Sequence, residues 1–193
     1  MPDCRKRIIT ISISSHDPTA RIFIALWPEG AARRQLAHLA RSLVVKVGGK
    51  AICAENLHLT LVYIGRTDAA TLAKLHDLIT TLRQPAFNLQ LDEVGFWKRS
   101  KIMVATARNY PAQLVSLAQN LRQILTDVSI IYDQHTFKPH VTLIRRVKSA
   151  GSLPELATQI AWTAARLSLV QSLQTPKGSI YRTLADCRFI GTR

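Results

Sequence analysis

The chain has 193 residues, 47% of them hydrophobic and 20% charged, with 26 Lys and Arg against 12 Asp and Glu for a net charge of +14. That length allows one substantial core, or two small lobes sharing one, and no apolar run reaches the length of an uncharged membrane span. The cationic excess favours a polyanionic partner, either nucleic acid or an anionic membrane surface, while three scattered cysteines (Cys4, Cys53, Cys187) argue against a disulfide framework or a structural zinc site and fit a reducing cytoplasm.

Residues 1–20 place Arg5, Lys6 and Arg7 before Ile8–Ser14, the order of parts of a signal peptide. The apolar section is short and interleaved with Ser and Thr, so it reads as an extension to a single domain over residues 21–193. Arg21–Trp27 is β-branched and aromatic and predicts a strand, with Pro28 leading into a helix over Glu29–Val45 that ends at Gly48-Gly49. Leu57–Ile64 predicts a strand stopped by Gly65. Asp68 is placed to cap an amphipathic helix over Asp68–Leu82. Phe87–Phe96 and Ile102–Ala107 predict two strands joined by a basic turn, Trp97-Lys98-Arg99-Ser100-Lys101, and Pro111–Leu125 predicts another helix. Strands near His140–Val147, Thr163–Leu173 and Ser179–Ile190 follow, with a break at Gly151–Pro154 and a closing hairpin at Pro176-Lys177-Gly178. This order is not the strict alternation of a doubly wound sheet and indicates an α+β fold with helices over antiparallel or mixed sheets.

Two tetrapeptides carry the chemistry. His58-Leu59-Thr60-Leu61 and His140-Val141-Thr142-Leu143 lie 82 positions apart, each in a predicted strand with a helix upstream, an arrangement of two similar lobes. Residues i and i+2 of a strand share a face, so each imidazole projects with its hydroxyl while Leu57, Leu59 and Leu61, or Val141 and Leu143, face a core. Two imidazoles and two hydroxyls suit in-line displacement at phosphorus: one His takes a proton from the nucleophile, the other gives one to the leaving oxygen, and the threonines donate to the non-bridging oxygens. A strained cyclic phosphate needs no metal for this. The sequence has no carboxylate cluster to hold Mg²⁺ or Zn²⁺, and no P-loop. His135 has no Thr partner and reads as a loop residue; His16, His38 and His76 read as structural or solvent-facing.

With these motifs in place, the chain resembles the two-histidine (2H) phosphoesterase superfamily, and within it the bacterial RNA 2′,3′-cyclic phosphodiesterase family, also described as 2′-5′ RNA ligase-like. The resemblance covers nearly all of residues 21–193. It rests on Arg21–Leu26, Leu57–Leu61 with Gly65, Phe137–Leu143 with Arg145, and Leu173, Gly178 and Tyr181. It implies a bilobal fold with two pseudo-symmetric lobes around a V-shaped cleft, His58 as proton donor to the leaving 3′-oxygen and His140 as the proton acceptor that activates water. It further implies that Thr60 and Thr142 grip the phosphate, that Arg145 lies near it, and that Phe23 lines the cleft and stacks on a base. No cofactor is implied. Arg145 shares the face of Thr142 only if the strand bends. The chain departs from the family pattern at Ile144, where a small residue is usual, at Gln171, where an acid is common, and at Cys187, where tryptophan is frequent.

The expected partner is RNA ending in a 2′,3′-cyclic phosphate, its phosphates running over Lys98, Arg99, Lys101, Arg145, Arg146 and Lys148, with the protein a cytoplasmic monomer. The same site acting on a small cyclic nucleotide is an alternative, with reverse joining of ends through a 2′-5′ bond as a further activity. An RNA-binding module with vestigial histidines is a different class of reading. A membrane-surface role lacks a basic amphipathic helix with aromatic anchors.

Overall fold

The computed structural model describes residues 20–149, 159–176 and 178–191; most of the expected N-terminal extension and the break at 151–154 lie outside them. The elements in chain order are β1 (Arg21–Leu26), α1 (Gly30–Val47), a two-residue β2 (Lys50–Ala51), a 3₁₀ turn (Ala54–Asn56), β3 (Leu59–Gly65), α2 (Ala69–Thr81), β4 (Phe87–Leu91), β5 (Glu93–Trp97), β6 (Ile102–Thr106), α3 (Ala112–Asp127), β7 (Val141–Arg145), β8 (Ile160–Ala164), β9 (Arg166–Thr175) and β10 (Gly178–Arg188). The strands form an antiparallel sheet in the order β10-β9-β1-β3-β7-β6-β5, with β2 on β7, and a separate β4-β8 pair. This is the expected α+β class.

Helix α2 begins where Asp68 accepts from the Thr71 N–H at 2.7 Å, as the capping expectation required. The buried faces of α1 (Ala32, Leu36, Ala40, Leu43), α2 (Leu75, Ile79) and α3 (Leu114, Leu117, Leu121, Leu125) join Ile24, Leu26, Leu59, Leu61, Val141 and Leu143 in one core cluster. Burial of that apolar face supplies most of the driving force.

Several strand boundaries differ from those predicted, among them that of β7, which begins at Val141 so that His140 precedes it. Phe87–Phe96 is two strands. At Asp92 the backbone N–H donates to Thr106 O (3.0 Å) and the side chain accepts from Arg108 N (3.0 Å), which transfers the chain from the β4-β8 pair to the main sheet. The apolar run expected at Thr163–Leu173 is likewise β8 and β9, parted at Ala165, whose carbonyl accepts from Phe189 N (2.8 Å). Leu57 and His58 leave the 3₁₀ turn and precede β3 rather than belonging to it.

The ladder has an internal two-fold pattern. On one side Ala25 pairs with Thr60 and with Ser168; on the other Val104 pairs with Thr142 and Gly95. In both β3 and β7 the register then slips by one residue, at Leu61 and at Leu143. Each slip is a β-bulge, and each produces two successive buried residues, Leu61-Val62 and Leu143-Ile144. The next side chain therefore returns to the face of the threonine: Tyr63 in β3 and Arg145 in β7. The halves meet where Leu59 pairs with Val141.

Candidate active site

The pairing of Leu59 with Val141 sets the two motifs head to tail. Continuing that antiparallel register, His58 lies beside Thr142 and Thr60 beside His140, all four on the sheet face opposite the helix-packed core. The bend that Arg145 needed is the bulge at Leu143.

Both imidazoles are oriented alike. The Nδ1–H of His58 donates to the carbonyl of Asn56 (2.7 Å), and that of His140 donates to the carbonyl of Lys138 (2.7 Å). A carbonyl can only accept, so Nδ1 carries the proton in each neutral ring and Nε2 carries the lone pair. The same geometry serves a base, with Nε2 bare, and an acid, with Nε2 protonated.

The backbone around each ring is tied down. Asn56 Nδ2 donates to Ser179 O in β10 (3.0 Å), linking the turn before His58 to the closing hairpin. The Tyr110 hydroxyl donates to Pro139 O (2.6 Å) and accepts from Ala107 N (2.9 Å), fixing the residue before His140. Lys50 pairs with Arg145, and Gly49, at φ +101°, abuts the strand end so closely that a Cβ would meet Arg145 O at 2.6 Å. Only glycine fits there.

Burial pushes the His58 imidazole down to about 4, helped by the charges of Arg145 and His140 and opposed by the Asn56 hydrogen bond. His140 is lowered too, by burial first, with the Lys138 hydrogen bond opposing the shift and the Arg145 charge adding to it. Around His58 stand Phe23 (ring centroids 4.9 Å apart), Trp27 (5.5 Å) and Tyr181 (5.2 Å, edge-on). Phe23, Ala25 and Val170 form a second small apolar cluster with Trp27 and Tyr181, and Ala25 is fully buried in it. Around His140 the aromatic contact is Trp97, at 4.4 Å. Burial raises the Tyr181 hydroxyl, an effect that the charge of Arg145 offsets only in part.

Phe23 differs from expectation. It is only 4% exposed, packed against His58, with no open face for a base. His135 lies in a loop, exposed and bonded to Asp133; His38 and His76 lie on α1 and α2. Sequence reasoning missed Trp27, Asn56 and Tyr110, and took Trp97 only as part of a basic turn; the sole available signal was their proximity in sequence to a motif or a turn. Among the described residues no three His, Cys, Asp or Glu side chains cluster as metal ligands, and no helix is long and apolar enough to cross a membrane.

The family model described as the 2′-5′ RNA ligase superfamily matches residues 27–175. An RNA 2′,3′-cyclic phosphodiesterase of Escherichia coli is 33% identical over 134 residues, 69% of this chain and 76% of that protein. One of Aeropyrum pernix is 26% identical over 80% of this chain and 94% of its own. Among solved structures, E. coli LigT in its apo form superposes with a TM-score of 0.80 at 28% identity, covering 88% of this chain and 96% of that one. LigT complexed with 3′-AMP gives the same score and identity over 88% and 98%. A matched family model across most of the chain, with relatives alike in sequence and in fold, places this protein in the 2′-5′ RNA ligase superfamily of two-histidine phosphoesterases.

Proposed function

We propose that this protein hydrolyses 2′,3′-cyclic phosphate ends of RNA to 2′-phosphates, with His58 and His140 as the acid–base pair. The observation that carries the reading is the matched pair of Nδ1–H···O=C bonds, which leaves both Nε2 atoms free for proton transfer on the face that also presents Thr60 and Thr142. His140 Nε2 takes a proton from water as its oxygen attacks phosphorus. The P–O3′ bond breaks, and His58 Nε2–H protonates the departing O3′, leaving a free 3′-hydroxyl and a 2′-phosphomonoester. Thr60 and Thr142 donate to the non-bridging oxygens, and Arg145 supplies positive charge at one end of the site.

His58 is neutral in the free site at neutral pH, since burial holds it near 4. An acid role requires the substrate's own anion to lift it: a phosphate between the imidazoles stabilises an imidazolium by the same Coulomb term that Arg145 applies with opposite sign. Protonation and substrate binding are thereby coupled. With a 5′-hydroxyl in place of water, the same in-line step forms a P–O5′ bond as P–O3′ breaks and joins two ends through a 2′-5′ linkage. The similarity to RNA-acting relatives supports RNA as the substrate class, and the cytoplasm, with the protein a monomer, is its proposed setting.

The test is hydrolysis of a short RNA carrying a 2′,3′-cyclic phosphate, in EDTA, with wild type beside His58→Ala and His140→Ala. Formation of a 2′-phosphate end by wild type, with losses of about 10²–10⁴-fold in each variant, supports the reading. An inert wild type that still binds the RNA would overturn it in favour of a binding module. Loss of wild-type turnover in EDTA would overturn the metal-independent mechanism.

A further inference from the structure

We infer that a track for single-stranded RNA leads away from this site over Trp97 and onto the β5–β6 turn, so that the substrate is a polynucleotide end rather than a mononucleotide. The inference rests on the reading of the site as a cyclic-phosphate hydrolase and names the part of the substrate that lies beyond the reacting phosphate.

Three segments distant in sequence converge at the Arg145 end of the cleft. Ile102 pairs with Arg145, Val147 N donates to Lys101 O (3.0 Å), and Lys148 N donates to Val47 O (3.1 Å). The segments 46–52, 97–102 and 144–149 contain no Asp or Glu. Lys98, Arg99 and Lys101 on the turn, and Arg146 and Lys148 beyond β7, are all exposed. A fixed arrangement of the backbone thus gathers like charges where self-repulsion opposes it, which is the footprint of a polyanion.

Trp97 connects this surface to the site. It is the last residue of β5, its ring lies 4.4 Å from that of His140, and its indole nitrogen sits 3.9 Å from where a Cβ on Gly95 would be. It therefore lies on the cleft face, half-buried, immediately before the cationic turn. An aromatic platform leading into a positive surface is how single strands are held without base readout.

The two sides of the cleft are not equivalent for a polymer. Beyond β1 the sheet continues through β9 to β10, whose Tyr181 closes against His58. Beyond β6 the described residues give only β5, the last strand of the sheet, and none of them forms a wall equivalent to β10 on the Trp97 side. A chain that runs 5′ from the cyclic phosphate leaves on that side.

The test compares kcat/KM for a cyclic-ended RNA decamer and a nucleoside 2′,3′-cyclic phosphate in wild type and in a Lys98→Ala/Arg99→Ala/Lys101→Ala variant. Wild type is expected to favour the decamer. The variant is expected to lose about tenfold on the decamer with the mononucleotide unchanged, and the slope of log kcat/KM against log salt for the decamer to become shallower by about 2, roughly 0.7 per lost cation on a single strand. Equal losses on both substrates, or none on either, would overturn the track while leaving the hydrolase reading intact. Should wild type turn over neither substrate, the track is read from decamer binding alone: weakened binding in the variant sustains it, and unchanged binding removes it.

Discussion

The two half-sites share a motif and differ in what surrounds it. His58 stands among Phe23, Trp27 and Tyr181, with its preceding turn tied to β10; among the described residues His140 has a single ring contact, Trp97, and its side of the sheet ends one strand sooner. The positions after the bulges differ as well, a tyrosine 39% exposed at 63 and a cation at 145. Duplicated geometry therefore does not give duplicated chemistry. Identical hydrogen bonds orient both imidazoles and burial lowers both, so the proposed division into acid and base depends on bound phosphate restoring a proton to His58 rather than on the free site.

The largest effect expected is from removing either ring. His58→Ala and His140→Ala should each cut kcat by about 10²–10⁴, and the double variant should be little worse than the poorer single one, since the rings act as a unit. Single-turnover rates check this; additive losses would break the picture of one coupled pair. Next come the hydroxyls. Thr60→Val and Thr142→Val should each cost about 10–100-fold, the value of a hydrogen bond to a charged oxygen, with unchanged thermal unfolding. Because the pairing places these threonines symmetrically, similar losses are expected; a loss at one alone would place the phosphate off the axis between the halves.

The contrast in burial predicts two pH dependences. With both imidazoles lowered in the free site, the optimum of kcat/KM should lie below 6.5, and that of kcat higher, since bound phosphate raises both groups. Coincident optima would remove the coupling between binding and protonation. For stability, the unfolded chain binds a proton at His58 below pH 6.5 that the folded chain excludes down to about 4. The contribution of neutral His58 is thus complete above pH 6.5 and is lost as pH falls from 6.5 towards 4, by up to roughly 3 kcal/mol. Urea unfolding at pH 7, 5.5 and 4.5 should show this slope in wild type and a flatter one in His58→Gln.

The smallest effect sharpens the comparison most. Phe23→Leu removes one ring from the His58 side at a cost of about 1 kcal/mol. Proton NMR titration should find His58 shifted up towards 6.5 while His140 stays where it was. Movement of both together would mean that their shared field, not local burial, sets the difference.

Much of this was legible in the sequence because it is local. Alternation at 57–61 and 140–143 set which side chains face the cleft, and Asp68 announced its helix. The bulges were not legible. A register slip is a relation between two strands, and Leu143-Ile144 reads as ordinary apolar sequence until its partner Val104 is known. The same limit hid the split at Asp92, where the hydrogen bonds that redirect the chain come from Thr106 and Arg108, more than a dozen residues away. The ring of aromatics around His58 draws on residues 23, 27 and 181, which no short window can associate.

The bulge at Leu143 makes the count of residues between Thr142 and Arg145 part of the chemistry. Two residues stand between them, so in a regular strand of this length Arg145 would face the core; only the extra residue taken up by the bulge returns it to the face of Thr142. In β3 a regular strand of the same length would likewise turn Tyr63 inward. Bulge and strand length therefore act together: losing the bulge alone would send each of these side chains into the core, whereas losing it together with one residue would leave both on the cleft face.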